Sequence, residues 1–173
     1  MKLASIISLL HKTSAVRVIV PDSISNKTFD MRFKSKKSIA SIKNFKNLLS
    51  SLIADKNNLG YTTKTESREG YSISIREDSI FNKHFDTTKI VKHSGTTITK
   101  NEWKGNNIQI DNLVLALENQ FNVFFFNDLK LKGTFKEISF PLSNIDSASE
   151  YLSKHYGLRF SRVKRKTKLI ILK

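Results

Sequence analysis

Apolar and polar positions along this chain fall into four successive stretches of one design. Each has a helical apolar stripe followed by two alternating runs, with polar turn residues between them. The clearest copy is "ASEYLSKHYGLRFSRVKRKTKLIILK" at the C-terminus. Beside it stand "LVLALENQFNVFFFNDLKLKGTFKEISF" and "LLSSLIADKNNLGYTTKTESREGYSISI", with a looser fourth, "ASIISLLHKTSAVRVIVPDSISNKTFDMRF". The expectation is an α+β protein of repeated α-β-β units, with mostly antiparallel sheets, helices packed on one face and two pseudo-repeat lobes. Residues 1–76 form the first lobe, 77–107 an inter-lobe segment and 108–173 the second lobe.

The local signals are specific. Ile6, Leu9 and Leu10 start a short helix, and Val16, Val18 and Val20 alternate as a strand. Pro21-Asp22-Ser23 reads as a turn, and Phe29, Met31 and Phe33 as the next strand. Ser41 caps a second helix that ends at Asn57-Asn58 and Gly60. "SREG" and "KRKT" are read as hairpin turns within the second and fourth units. Within 77–107 one short strand is expected at Thr96–Thr99, with Trp103 anchored in the core. Asp111 and Asn144 (or Ser143) cap the third and fourth helices, and Gly157 takes the left-handed C-terminal cap. "VFFFND" is apolar enough to predict a central strand covered on both faces. A phase change between Phe135 and Ile138 predicts a bulge, and Pro141 ends that strand.

Charge then narrows the partners. Lys and Arg number 30 against 15 Asp and Glu, a formal charge of +15. Such a balance favours anionic partners and is also met in a plain solvated lysine-rich surface. The chain has no Cys, which removes disulfides, thiolate zinc sites and thiol catalysis by this chain. No apolar run reaches the length of a membrane helix. The opening "LASIISLL" is short, ends at His11-Lys12 and lacks a small-residue cleavage site, so it reads as the first helix of the fold.

The stretch from "LLSSLIADKNNLG" to the Tyr71–Ile75 strand, with the Glu66-Ser67-Arg68-Glu69 turn, resembles the soil-associated family of exported bacterial proteins, which has a domain of unknown function. Gly133-Thr134-Phe135 and the terminal helix running into Gly157-Leu158 resemble its second half. The chain departs from that pattern after Ala54-Asp55, where Lys56 and Asn57 follow instead of Arg-Phe. The last unit is also similar to the small β-α-β-β modules of secretins and TonB-dependent transducers. The first resemblance implies a non-enzymatic extracytoplasmic domain, periplasmic or outer-membrane-associated, with its export signal removed; the second is a likeness of fold to modules that pack against other proteins in the periplasm. Neither brings catalytic residues.

Candidate chemistry is sparse. His84, Asp86 and His93 match no familiar zinc spacing and read as solvated loop residues. His11 and His155 lie near helix C-termini, where an imidazolium complements the dipole. No phosphate loop or nucleophile elbow occurs. No metal, cofactor or catalytic residue is expected. The binding signal is two basic clusters. One is Lys34, Lys36 and Lys37; the other is Arg159, Arg162, Lys164, Arg165, Lys166 and Lys168, with Tyr156 and Phe160 beside it. They point to docking of another envelope protein or a polyanion through a basic surface. The alternative is a cytosolic nucleic-acid-binding protein that uses the basic C-terminal hairpin and its aromatics.

Overall fold

The computed structural model describes residues 1–29, 45–88 and 94–173. The elements run α1 (Leu3–His11), a 3₁₀ turn (Ala15–Arg17), β1 (Val18–Ile19), α2 (Asp22–Ser25), α3 (Phe45–Lys56), β2 (Tyr61–Ile75), α4 (Asp78–His84), β3 (Phe85–Asp86), β4 (Gly95–Ile98), β5 (Glu102–Ile108), α5 (Ile110–Phe121), β6 (Phe124–Asn127), β7 (Thr134–Pro141), α6 (Ile145–Tyr156) and β8 (Leu158–Leu172). The fold is α+β. One sheet is mixed, in the order β1-β8-β2-β6, and the other is antiparallel, in the order β3-β7-β5-β4. Met31, Phe33, Ser41 and the cluster Lys34, Lys36 and Lys37 lie outside the described residues.

The expected hairpins at "SREG" and "KRKT" are absent: β2 and β8 are each one continuous strand of 15 residues. A tight two-residue reversal needs φ > 0 at its centre. No residue of Ser67–Gly70 or Lys164–Thr167 takes a positive φ. Gly70 has a different use, because a Cβ there would sit 2.3 Å from the Phe124 carbonyl oxygen. The glycine lets β6 lie against β2, paired in parallel from Gly70↔Phe124 to Ile73↔Asn127. The second and fourth segments are therefore helix plus long strand. In the third, β6 and β7 belong to different sheets and form no hairpin.

The chain divides into two compact units. Unit 1 is Met1–Arg68 with Lys166–Lys173, and unit 2 is Glu69–Arg165. These boundaries differ from the expected lobes, because the last eight residues join the first unit. Residues 77–107 are not a connector either, since α4, β3, β4 and β5 are parts of unit 2. The short strand expected at Thr96–Thr99 is β4, and Trp103 is buried as expected.

Unit 1 has an aliphatic core of Leu3, Ile7, Val18, Ile24, Ala54, Ile170 and Leu172. There β1 pairs in parallel with β8 through Val18↔Ile170 and Ile19↔Ile171. Gly60 and Lys173 exchange backbone hydrogen bonds just outside β2 and β8. Helix α1 closes on Lys12 in the left-handed region (φ 51°), with the Lys12 and Thr13 amides donating to the Leu9 and Ser8 carbonyls.

Unit 2 has an aromatic core. The Phe81, Phe85 and Phe135 rings meet at centroid distances of 4.8, 5.1 and 5.6 Å, and Trp103 stacks on Phe140 at 5.0 Å. Strand β7 is central in its sheet, and α6 packs on it. No bulge interrupts it: the β5–β7 register is the same at Ile108↔Phe135 and at Gly105↔Ile138. The apolar phase changes because residues at both ends of β7 are covered on both faces, which hides Thr134 with Phe135 and Ser139 with Phe140. The Ser139 amide donates to the buried Tyr156 hydroxyl at 3.1 Å. The Asn144 side chain caps α6 by accepting from the Ser147 amide at 2.8 Å, and Gly157 (φ 66°) closes it, both as expected. Helix α5 instead starts at Gln109 without a side-chain cap, and Asp111 accepts from the Asn127 amide group at 2.8 Å. Strand β6 is an edge strand, not a central one. Only Phe125 of its phenylalanines is buried, while the Arg165 guanidinium lies 5.9 Å from the Phe126 ring and covers part of it.

Candidate functional site

Alternation along a strand decides what the basic residues of β8 can do, because neighbours point to opposite faces. In unit 2 this separates Arg162 and Lys164 from Arg165. Arg165 grips Asp128 with both guanidinium nitrogens, one of the two bonds being 2.7 Å, and its charge is answered on the spot. The Arg165 hydrogen bonds hold the Asp128 carboxyl below the usual aspartate range. On the other face, Arg162 and Lys164 are exposed and make no ion pair among the described residues. Arg162 sits 5.9 Å over the Tyr71 ring. The two cations line a cavity of about 400 Å³ with Glu69, Gly70, Tyr71, Val123 and Val163. Among the described residues Glu69 is the one acidic group in that lining, so they carry excess positive charge beside apolar surface.

The rest of the predicted cluster is divided. Arg159 lines a different cavity with Arg76, Ser149, Glu150, Ser153 and Phe160, where Arg76 donates to the Ser153 hydroxyl at 2.9 Å. Lys166 and Lys168 belong to unit 1 and are exposed. The aromatics expected to stack on bases are not platforms. Tyr156 is buried, and Phe160 meets the buried Phe125 edge-on at 6.2 Å. Tyr71 has Arg162 over it and stacks against Phe125 at 5.7 Å.

Unit 1 carries a basic cavity that no contiguous run of sequence announces. Its volume is about 740 Å³, and its walls are His11, Lys12, Thr13, Arg17, Tyr61, Thr63, Lys168 and Ile170. They come from the end of α1, the 3₁₀ turn, β2 and β8, so the cations are brought together only by folding. His11 does not simply cap α1 as expected. Its Nε2 lies 3.0 Å from both the Ser50 and Tyr61 hydroxyls, and its ring stacks on Tyr61 at 5.8 Å. Burial pushes the Tyr61 phenol above its ordinary value, so it stays protonated. Arg17 donates to the Thr167 hydroxyl.

His84 and His155 make structural contacts. His84 is not a solvated loop residue; it ends α4 half-buried, with its ring 4.9 Å from that of Tyr156. Asp86 accepts from the Thr88 amide and hydroxyl at 2.9 and 2.7 Å. His93 lies outside the described residues, and His155 lies against Tyr151 at 4.3 Å. Among the described residues no group of three His, Cys, Asp or Glu is placed to hold a metal ion. No described helix is long and apolar enough to cross a membrane. No protein-family model, curated protein or solved structure matches the chain.

Proposed function

We propose that this chain is a non-catalytic binding module of the bacterial envelope that docks a polyanionic partner through β8 in unit 2. The observation that carries this is the contrast on one strand. Arg165 is neutralised by Asp128, whereas Arg162 and Lys164 face solvent with no carboxylate bonded to them among the described residues. Unanswered cations beside a mainly apolar cavity attract anionic groups and exchange them readily, which suits docking rather than chemistry. The envelope setting comes from the resemblance to the soil-associated exported family and stands with it.

Nucleic acid remains the competing partner. With Arg162 over Tyr71 and Phe160 half-buried against Phe125, little ring surface is left for base stacking, and an oligonucleotide would be held mainly by backbone charge. The test is affinity for a heparin fragment and for a single-stranded oligonucleotide of equal charge over a series of salt concentrations. A salt-sensitive preference for the glycan that is lost in R162Q/K164Q supports the proposal. A preference for the oligonucleotide moves the assignment to nucleic acid.

A further inference from the structure

The cavity of unit 1 has a chemistry of its own. Lys12, Arg17 and Lys168 contribute three positive charges, and no carboxylate is among the described residues that line it. Lys12 and Lys168 are exposed and make no ion pair among the described residues. The C-terminus of α1 presents about half a negative charge, less than the two lysines carry. The other walls are hydroxyls from Thr13, Thr63 and Tyr61, the His11 ring and a single aliphatic side chain, Ile170. His11 is fixed between Ser50 and Tyr61, so that wall is already ordered before any ligand arrives. At about 740 Å³ the space is of the size that takes a whole small molecule, larger than a bare oxyanion needs.

We propose that this cavity binds a phosphomonoester carried on a small hydroxylated group, as in a sugar phosphate. The two lysines would neutralise the dianion, and the threonine and tyrosine hydroxyls would take the sugar hydroxyls. The site uses neither Arg162 nor Lys164, the two cations on which the docking proposal rests, so it stands or falls independently of that proposal.

The experiment is calorimetric titration of the full chain with glucose 6-phosphate, alongside glucose and inorganic phosphate, at constant ionic strength. A second arm uses phosphatidylcholine vesicles with and without phosphatidic acid, to tell a free phosphomonoester from a lipid headgroup. The variant is K12N/K168T. Asn accepts the left-handed backbone of position 12, and Thr suits a strand, so the thermal midpoint should not move. The expected result is saturable binding of glucose 6-phosphate over glucose, weakened on the order of tenfold or more in K12N/K168T. Binding seen only on phosphatidic acid vesicles, with the same loss in the variant, would keep the phosphomonoester and place it on a headgroup. No saturable binding in either arm, or binding that survives in K12N/K168T, would overturn the proposal. Heparin affinity measured on the same variant separates the two sites, since R162Q/K164Q should lose heparin and keep the sugar phosphate.

Discussion

The two units solve the same packing problem with different side chains. Unit 2 fills its core with stacked and edge-on rings, and the cavity along its part of β8 is lined mainly by apolar surface. Among the described residues unit 1 fills its core with aliphatic groups, and it keeps a larger cavity, about half polar and walled by cations. Rings bury more area per residue and hold one another at fixed angles. Short aliphatic contacts hold less, and the polar wall of unit 1 is tied instead by hydrogen bonds such as those of His11. Stability is therefore expected to reside mostly in unit 2, and small-molecule chemistry in unit 1.

The widest gap should come from truncating each core. Phe135→Ala removes the ring that touches Phe81, Phe85 and Tyr156, and is expected to cost about 3–5 kcal/mol in denaturant unfolding. Ile7→Val in unit 1 should cost about 0.5–1.5 kcal/mol. A loss for Phe135→Ala no larger than that for Ile7→Val would erase the contrast. Next comes Gly70→Ala, which forces a methyl against the Phe124 carbonyl and should destabilise by about 1–3 kcal/mol. Amide exchange should show the loss at Phe124–Asn127 and spare Val18 and Ile19.

The smallest effect concerns Asp128. Its carboxyl titrates lower in the folded chain than its ordinary 3.8, because Arg165 favours the charged form. The pair thus contributes fully above that ordinary value, and its contribution fades as pH falls through the lower folded value. Asp128→Asn should cost no more than about 1 kcal/mol at neutral pH, since the pair is partly solvated. The stabilities of the parent chain and the variant should converge in acid. A difference that persists at the lowest pH would mean that Asp128 acts through packing.

Legibility followed the range of the interaction. Helix ends governed by one or two residues, such as the Asn144 cap and the Gly157 closure, were readable because the cause is local. The class of the fold was readable from periodicity. The hairpins were misread because "SREG" and "KRKT" have the composition of turns, while the backbone of β2 and β8 keeps ordinary negative φ through both. "VFFFND" looked central because a run of phenylalanine says nothing of what covers it, and here a guanidinium covers Phe126. The basic run of β8 was visible, but its division was not. Only the folded chain shows that Asp128, 37 positions away, claims Arg165. The cavity of Lys12, Arg17 and Lys168 left no trace in the sequence, since its cations are scattered along the chain.

The most direct test of the docking account compares R162Q/K164Q with D128N/R165Q, which removes a charge pair and leaves the net charge unchanged. Heparin affinity is followed against salt for both and for the parent chain. The account predicts that R162Q/K164Q weakens binding and lowers the salt slope by roughly two, about one for each lost contact, while D128N/R165Q leaves both nearly unchanged. Equal weakening in the two variants, or no binding by the parent chain at low salt, would contradict it.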